Sequence, residues 1–323
     1  MSVVFVTGGS GFVGGQLISR LVVDRHSVRA LARSDAAAQR VAALGAQPVR
    51  GDLTDVASLR AAAEGSDLAF HAAARTTRGG DRAQFFADNR DGTANVVAAV
   101  RQAGVARLVH VGTEAALMAG QPLVNVDETV PLRPDSRAHY SASKAAAEQV
   151  VLAGNGGGLQ TMVVRPRFVW GAGDTTVLPE LVQAVQAGRF AWVGGGRHLT
   201  DTTHVDNTVE GLVLAAHRGR PGEAYFVTDG ESVIFRDFIT ELLATRGVPA
   251  PTRSLPAGVA AAAATAGEAV WRGLRLKGAP PLDHMSLWLS SQECTIDITK
   301  ARTQLGYTPV RTRAAGLAEM RGR

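Results

Sequence analysis

The sequence predicts an α/β fold, a doubly wound parallel sheet with a smaller, interleaved C-terminal domain. Through the first half of the chain, short apolar strand patterns alternate with helical patterns, and no segment repeats. The first strand pattern, at residues 3–7, runs into a glycine-rich turn at 8–14 and then directly into a helical pattern. This order of strand, glycine turn and helix predicts a phosphate-binding site at the turn.

The turn carries glycines in two spacings that are typical of dinucleotide-binding folds. The general spacing is met by Gly9-x-Gly11-x-x-Gly14, and a variant spacing is met by Gly8, Gly11 and Gly14 after Thr7. One glycine must turn the chain, one must let the backbone approach a pyrophosphate, and one must let the helix pack closely on the strand. The helix N-terminus then offers unpaired N–H groups to the phosphates. We predict cofactor contacts from Gly8, Gly11, Phe12, Val13 and Gly14.

The end of the second strand pattern, 27–32, bears on which nicotinamide cofactor is bound. In NAD-selective folds an acidic residue about 20 positions beyond the glycine turn binds the ribose 2′-hydroxyl. Here Ala32 holds that place, and Arg33 follows it. An arginine suits a 2′-phosphate, and no carboxylate is present there to repel one. The sequence therefore favours NADP(H) over NAD(H).

Further cofactor contacts are predicted after the later strands, because ligands of doubly wound sheets lie beyond the carboxyl ends of the strands. Asp52 follows the third strand and is placed to accept a hydrogen bond from the adenine amino group. The small residues 72–74 after the fourth strand leave room for the middle of the cofactor. His71, which ends that strand, is interpreted as a core histidine. We also predict cofactor contacts from Leu53, Ala72, Ala73, Pro166 and Phe168.

Tyr140 and Lys144 open a predicted helix that runs to about Ala153. Residues four apart lie on one helix face, so the hydroxyl and the ammonium are expected to point at the same cofactor. A nearby ammonium favours the phenolate, and we expect it to lower the pKa of Tyr140. Thr113 follows the fifth strand, 107–111, and is predicted to bond a substrate oxygen, with a helix cap as the alternative. Thr113, Tyr140 and Lys144 are the predicted catalytic residues.

Several motifs are spread over the chain: residues 7–14, 71–74 and 89–95, Thr113, Tyr140-x-x-x-Lys144, Arg165-Pro166, and 297–302 with 305–307. Over nearly the full length, they resemble the extended short-chain dehydrogenase/reductases, and most of all the branch of 3β-hydroxysteroid dehydrogenases and dihydroflavonol-4-reductase-like ketoreductases. The resemblance implies a Rossmann domain and assigns proton transfer to Tyr140. It also implies that Lys144 holds the nicotinamide ribose. Gly112 stands where relatives commonly have serine.

The resembling family also contains nucleotide-sugar epimerases and dehydratases, and these stay an alternative. Dehydratases follow the threonine with Asp-Glu, whereas Glu114-Ala115 follows Thr113 here. Epimerases tend to carry an asparagine after the Arg-Pro pair, whereas this chain has apolar residues at 168–170. A non-catalytic NADP sensor is a third possibility, disfavoured because Tyr140 and Lys144 are both present. We favour hydride transfer between NADP(H) and a hydrophobic ketone or alcohol, such as a steroid, flavonoid or β-keto compound.

The second half of the chain divides the predicted domains. We assign residues 1–165 and about 197–228 to the cofactor domain, and about 166–196 and 229–323 to the substrate domain. The alanine-rich helix pattern at 257–276 is predicted to cover an apolar substrate or to pack as plain core. Helices at 82–103 and 140–153 are candidate parts of a homodimer interface. The single cysteine, Cys294, argues against a disulfide framework and a cysteine-based metal site.

Charge and hydropathy narrow the possible partners. The net charge is +5, but the arginines are scattered among acids in runs of two at most, so a nucleic-acid partner is not expected. The apolar part of 255–276 is shorter than the roughly 20 residues of a spanning helix. The chain starts directly with the first strand, so we expect no signal peptide and a cytoplasmic location.

Overall fold

The computed structural model describes residues 1–76, 81–274, 276, 280 and 282–322. A seven-stranded parallel sheet runs through these residues. In chain order its strands are β1 (Val3–Thr7), β2 (Ser27–Ala32), β3 (Gln47–Arg50), β4 (Leu68–His71), β5 (Arg107–Val111), β6 (Gln160–Pro166) and β7 (Glu223–Val227). Their spatial order is β3-β2-β1-β4-β5-β6-β7, and every neighbouring pair is parallel. This is the Rossmann order with a seventh strand, so the predicted doubly wound sheet is confirmed.

Helices lie on both faces of the sheet, because successive side chains of a buried strand point to opposite sides. In β1, Val4 and Val6 belong to the core cluster on one face and Phe5 to the cluster on the other. The helices are α1 (Phe12–Val23), α2 (Asp35–Ala43), α3 (Val56–Ala63), α4 (Arg82–Phe86), α5 (Gly92–Gln102), α6 (His139–Ala153), α7 (Val177–Gln186), α8 (Val205–Arg218), α9 (Phe235–Ala244), α10 (Ala257–Gly273), α11 (His284–Ser291) and α12 (Arg313–Arg321).

The predicted long helix at 82–103 contains an irregular turn. A π-helical segment, Ala87–Asp91, joins α4 to α5. Asn89 in this turn is buried, and its Nδ2 donates to Ser143 Oγ of α6 at 2.9 Å. Its Oδ1 accepts the backbone N–H of Arg75 at 2.6 Å. The widened turn thus brings a polar side chain from α4–α5 onto the helix that carries Tyr140.

A second region, outside the seven-stranded sheet, is built from short strands and helices. Trp170 and Trp192 are almost fully buried in a cluster with α7, α9 and α12, so both are core residues. The segment Leu123–Val126, from the predicted cofactor domain, joins this region's largest sheet; the domain limits stay predictions. That sheet has the order Val233–Ile234, Leu199–Thr200, Cys294–Ile296 and Leu123–Val126, and two strand pairs join Val169–Trp170 to Thr203–His204 and Trp192–Val193 to Ser254–Leu255.

The expectations about the alanine-rich segment and about the partners can be compared with the structure. The helix predicted at 257–276 ends at Gly273, and residue 275 lies outside the described residues. Over the described part of the chain, no helix combines the length and the apolar character needed to cross a membrane. The same residues contain no group of three or more His, Cys, Asp or Glu side chains that could hold a metal ion. The homodimer stays a prediction.

Candidate active site

The glycine turn lies at the carboxyl end of β1 and packs against the segment that follows β4. Gly8 has a φ of +73°, and a Cβ there would lie 2.5 Å from backbone atoms of both Ala72 and Ala73. A Cβ on Gly14 would overlap the Gly8 carbonyl oxygen, because α1 packs directly on the turn. Gly11 is exposed, and a Cβ there would approach only that same oxygen, at 3.3 Å. The three glycines therefore match the three predicted uses: a turn, a close helix contact and an open backbone.

The first turn of α1 fits the diphosphate of a dinucleotide. The turn contains no acidic residue, and within the described residues no side chain caps the helix at Gly11. Its first N–H groups and the positive end of the helix dipole are therefore available to an anion. Phe12 and Val13 lie in this turn and are partly exposed. The structure thus brings the predicted phosphate-binding residues together around a backbone that a diphosphate can approach.

The residues predicted to distinguish NADP from NAD follow β2 and β3. Arg33 Nε lies 3.9 Å from Asp52 Oδ2, and 85% of the arginine side chain is exposed. The backbone N–H and hydroxyl of Thr54 donate to Asp52, at 2.9 and 2.8 Å, and these bonds lower the pKa of its carboxyl. The carbonyl of Leu53 accepts a bond from Asn95 at 2.8 Å. The long, exposed contact of Arg33 leaves its guanidinium accessible to an anion.

Tyr140 lies in the first turn of α6, beside Thr113, which follows β5. Its hydroxyl is within hydrogen-bonding reach of Thr113, and its ring is partly exposed. Thr113 also caps the short 3-10 helix Glu114–Leu117, as the alternative interpretation expected, and its contact with a substrate oxygen stays a prediction. Burial of the phenol and then the negative charge of Glu114 raise the pKa of Tyr140 far above its usual value, although the contact with Thr113 lowers it. Tyr140 therefore keeps its proton at neutral pH.

Lys144 is buried and faces β5. Its Nζ donates to the carbonyl of Val111 at 2.8 Å and lies 3.2 Å from His110 Nε2. Burial lowers the pKa of Lys144 to about 8, and the charge of Glu148 opposes this change. The expectation that Lys144 lowers the pKa of Tyr140 is therefore wrong for this structure. The ammonium is directed to β5, and the pKa of the phenol is set mainly by its burial and by the charge of Glu114.

A buried ion pair lies next to Thr113 and was not predicted. The Thr113 hydroxyl donates to Glu114 Oε2 at 2.8 Å, and Glu114 Oε1 lies 2.5 Å from Arg167 Nη1. Both charged side chains are at most 4% exposed. Only a weak signal for this pair is present in the sequence: a charged residue directly after Thr113 and a second one after a buried strand. Nothing in the sequence alone indicated that the two would meet.

Close packing explains both the neutral state of His71 and the lack of a side chain at Gly112. The ring nitrogens of His71 bond the hydroxyls of Thr7 and Thr93 at 2.6 and 2.9 Å, and burial lowers its pKa to about 3. This is the neutral core histidine that the sequence predicted. At Gly112 a Cβ would lie 2.7 Å from Val163 Cγ1, so the serine that the family resemblance implies there would require Val163 to shift.

The last two predicted cofactor residues follow β6 in the chain. Pro166 ends the strand and is buried. Phe168 has a φ of +42°, and its ring packs edge-on against Phe235 and Phe238 of α9, with centroids 6.4 and 5.7 Å apart. The structure therefore places Phe168 in the aromatic cluster of the second region. Contact of either residue with a cofactor stays a prediction.

Apolar and sulfur-bearing side chains of α11 approach the start of α6. Ser141 Oγ lies 3.3 Å from Met285 Sδ. Trp288 is buried in the hydrophobic cluster against which Tyr140, Met285 and Leu289 pack. Helix α11 therefore brings Met285 against the residue that follows Tyr140, and a pocket for a hydrophobic molecule needs apolar side chains of this kind.

Comparison with known proteins identifies close relatives of the whole chain. A model of the 3-beta hydroxysteroid dehydrogenase/isomerase family matches residues 5–257. A 4-hydroxy-2-methyl-3-oxo-4-farnesyl-3,4-dihydroquinoline-1-oxide ketoreductase of Stigmatella aurantiaca is 49% identical over 98% of this chain and 95% of its own. A 2-alkyl-3-oxoalkanoate reductase of Stenotrophomonas maltophilia (strain K279a) is 36% identical over 98% of both chains.

Solved structures give the same fold. The crystal structure of gox2253 superposes with a TM-score of 0.81 at 29% identity and covers 100% of this chain and 98% of that one. DesIV, a dTDP-glucose 4,6-dehydratase from Streptomyces venezuelae, has a TM-score of 0.77 at 23% identity, covering 99% and 96% of the two chains; it supports the fold alone. The predicted family resemblance is confirmed: the chain belongs to the 3-beta hydroxysteroid dehydrogenase/isomerase family and is an NAD(P)-dependent oxidoreductase.

Proposed function

We propose that this oxidoreductase is a ketoreductase that transfers hydride between NADP(H) and a ketone or secondary alcohol on a hydrophobic body. The observation that carries the proposal is the position of Tyr140, a partly exposed residue whose hydroxyl keeps its proton beside Thr113 and whose neighbour Ser141 contacts Met285 of α11. A protonated phenol at the surface of such a site is a general acid for a carbonyl oxygen.

Different residues of the chain have different proposed roles in the reduction. A reduced nicotinamide, when bound, supplies hydride to the carbonyl carbon. Tyr140 gives its proton to the carbonyl oxygen, a step worth on the order of 10² to 10⁴ in rate. Lys144, the predicted partner of the nicotinamide ribose, keeps one donor beyond its contacts with Val111 and His110. Alignment of the two reactants by the glycine turn and by α6 supplies the remaining acceleration.

The names of relatives support the substrate class. One is a ketoreductase of a farnesyl-bearing quinoline oxide, one a reductase of alkyl oxoalkanoates, and one, from Mycobacterium tuberculosis, a 3 beta-hydroxysteroid dehydrogenase/isomerase at 33% identity. Each name joins a ketone or a secondary alcohol to an alkyl, isoprenyl or steroid body. We extend this class to the present chain because Met285 of α11 lies against Ser141, next to Tyr140, and belongs with Trp288 to the apolar cluster against which Tyr140 packs. Helix α10 as a cover over the substrate stays a prediction.

Replacing Tyr140 with phenylalanine tests the assignment. Tyr140→Phe keeps the ring but removes the proton, so we expect ketone reduction to fall by about 10² to 10⁴. The dissociation constant of NADPH should change by no more than about twofold, because the diphosphate site is separate. NADPH consumption with farnesyl-quinolone, β-keto and steroid ketones measures the first quantity, and NADPH fluorescence measures the second.

Tyr225→Phe is the matched control. Tyr225 is fully buried, and its hydroxyl contacts Gln304 and the backbone of Arg220, away from Thr113. This variant should retain turnover. Equal turnover in Tyr140→Phe and in the unmodified chain would refute the assignment of Tyr140. Lack of stoichiometric NADPH oxidation with every ketone would instead support an epimerase or a sensor.

A further inference from the structure

Lys144 contacts two neighbouring groups of β5, one from the backbone and one from a side chain. Its Nζ donates to the carbonyl of Val111 at 2.8 Å and lies 3.2 Å from Nε2 of His110. Lys144 and His110 are at most 3% exposed. Neither contact can be exchanged for bulk water at this depth, so removing one would leave a buried polar atom unpaired.

The contact with Lys144 determines the state of the His110 ring. A cationic imidazole 3.2 Å from an ammonium would bring two like charges together away from bulk water, so His110 is neutral. Burial and then the charge of Lys144 accordingly lower the pKa of His110 well below its ordinary value, although the backbone of His71 opposes this change. A neutral imidazole has one donor and one acceptor nitrogen, and an ammonium only donates. Beside the charged lysine, Nε2 is therefore the acceptor.

Two acceptors on β5 favour the charged form of Lys144. An ammonium has three N–H groups, so it can donate to the carbonyl of Val111 and to His110 and keep a third proton for another partner. A neutral amine has two N–H groups, and both would be used on β5. The histidine thus bears on the charge of the lysine and on the number of protons that it can offer to a ligand.

Other charged or titratable groups surround this contact, and their protonation states are clear. Glu148, one turn along α6, supports the ammonium of Lys144, and Arg165 of β6 bonds that carboxylate at 2.5 Å. Tyr140, one turn before the lysine, keeps its proton at neutral pH. The ring of His71 on β4 is neutral, because burial and then the charge of Lys144 lower its pKa to about 3. The charge of the ammonium therefore depends on Glu148 and on the acceptors that β5 supplies.

We propose that His110 is a positioning residue for the reduction: its Nε2 accepts one N–H of Lys144, holds the ammonium against β5 together with the Val111 carbonyl, and leaves the third N–H for the ribose of the cofactor. The inference rests on the proposed function and adds a residue to it. His110 acts through Lys144 and takes no part in the transfer of a proton to the substrate.

A titration of Lys144 tests the proposal without a cofactor or a substrate. The chain has three lysines, so lysine labelled with carbon-13 at Cε gives three signals in magnetic resonance, and the Lys144 signal is the one missing from Lys144→Met. Its midpoint should lie at about 8 in the unmodified chain. His110→Leu should lower this midpoint by about one pH unit or more, because the charged form loses a hydrogen bond.

Two polar variants distinguish the acceptor from packing. The side-chain amide of glutamine can reach the position of Nε2, whereas that of asparagine reaches only the position of Nδ1. His110→Gln should therefore keep the midpoint within about 0.3 pH unit of the original, and His110→Asn should lower it as His110→Leu does. His71→Asn is the matched control, because His71 is equally buried and its ring nitrogens bond Thr7 and Thr93. It should leave the midpoint unchanged.

Turnover gives a second readout that a merely structural histidine would not move. A midpoint lowered from about 8 to about 7 reduces the charged fraction of Lys144 about fivefold near pH 8 and by only about a tenth near pH 6. Ketone reduction by His110→Asn should therefore be about fivefold slower than that of the unmodified chain near pH 8 and should recover near pH 6. His110→Gln should restore most of the turnover near pH 8.

The outcomes separate this inference from the proposed function. An unchanged Lys144 midpoint in both His110→Asn and His110→Leu would overturn the positioning role, and so would an equal shift in His110→Gln or in His71→Asn. A histidine needed only for packing would lower the amount of folded protein and leave the midpoint in place. Failure of the unmodified chain to reduce any ketone would refute the proposed function, while the titration still reports on His110.

Discussion

Two buried glutamate–arginine ion pairs lie beside the predicted catalytic residues, and they differ in which of those residues they act on. In both pairs the charged atoms are 2.5 Å apart, and every side chain is at most 4% exposed. Glu114 accepts the bond of Thr113, and its charge raises the pKa of Tyr140. Glu148 lies on α6, one turn beyond Lys144, and its charge raises the pKa of Lys144 against the effect of burial.

The two pairs show that a buried carboxylate can stabilise either a neutral or a charged neighbour. A carboxylate favours the protonated form of any acid near it, whether that form is a neutral phenol or a charged ammonium. Glu114 thereby favours the neutral form of Tyr140, and Glu148 the charged form of Lys144. The proposed reduction uses both forms, since the phenol would donate a proton and the ammonium would bind the ribose hydroxyls. The two arginines let these carboxylates remain buried.

The largest expected effect comes from removing either arginine. Arg165→Met and Arg167→Met each leave a carboxylate buried without a counter-charge, which should lower the free energy of unfolding by about 3–5 kcal/mol. The loss should be greater for Arg165→Met. Glu148 Oε2 has no hydrogen-bond partner among the described residues, whereas Glu114 keeps the bond from Thr113. Urea denaturation followed by circular dichroism measures both losses.

The double variant Glu148→Leu/Arg165→Met serves as the control for this prediction. It removes both charges, so most of the lost stability should return. A double variant as unstable as Arg165→Met would mean that packing, rather than an isolated charge, causes the loss. Equal losses in the two single variants would contradict the distinction between the pairs.

A second, smaller effect concerns the pH dependence of turnover. The pKa of Lys144 is about 8 in the folded chain, so ketone reduction should fall as the pH rises through about 8. Glu148→Gln removes the charge that supports the ammonium, and the midpoint of this fall should move to lower pH. Glu114→Gln should leave it near its original value. Profiles of kcat/KM against pH for the three chains measure the midpoint.

Lys144 also makes the free energy of unfolding depend on pH in a defined direction. Folding lowers the pKa of Lys144 from its ordinary value of 10.5 to about 8, so the unfolded chain binds more protons between these two values. The contribution of Lys144 to stability therefore rises with pH across this window and is least favourable below it. A stability difference between the unmodified chain and Lys144→Met that does not change across the window would show that Lys144 titrates normally.

Much of the nucleotide-binding half was predictable because its signals are local. The glycine spacing at 8–14 is read within seven residues, and the predicted limits of β2 and β5 agree with the structure. The prediction that Tyr140 and Lys144, four residues apart, share one face likewise requires only that they lie on a helix. Each of these predictions depends on residues that are neighbours in the chain, where periodicity and backbone conformation carry the information.

The electrostatics of the site were not predictable in this way. Glu114 and Arg167 are 53 positions apart, and their contact depends on how β5, β6 and the loops after them meet. The spacing of Tyr140 and Lys144 indicated one face of a helix, but not that the ammonium would be directed to β5. The π-helical turn at Ala87–Asp91 also escaped prediction, since one extra residue in a turn leaves the apolar pattern nearly unchanged.

An exposed ion pair completes the comparison and carries the smallest effect on stability. Arg33 and Asp52 are 3.9 Å apart in solvent, so Arg33→Ser should change the free energy of unfolding by less than about 1 kcal/mol. Its effect should fall on the ligand instead. A guanidinium that binds a 2′-phosphate contributes a charge-assisted bond, and its loss should raise the dissociation constant of NADPH about tenfold while that of NADH stays the same.

Fluorescence titration with the two cofactors measures this preference, and Arg189→Ser, which removes another exposed arginine after α7, is the matched control. Equal loss of affinity for NADPH and NADH, or equal loss in the control, would contradict a role for Arg33 in recognising the phosphate. A loss of affinity for NADPH alone would show that the exposed pair and the two buried pairs have different roles. Water screens the charge of Arg33 from the rest of the fold, so it acts on a ligand that comes to it, whereas the buried carboxylates act on the protons of their neighbours.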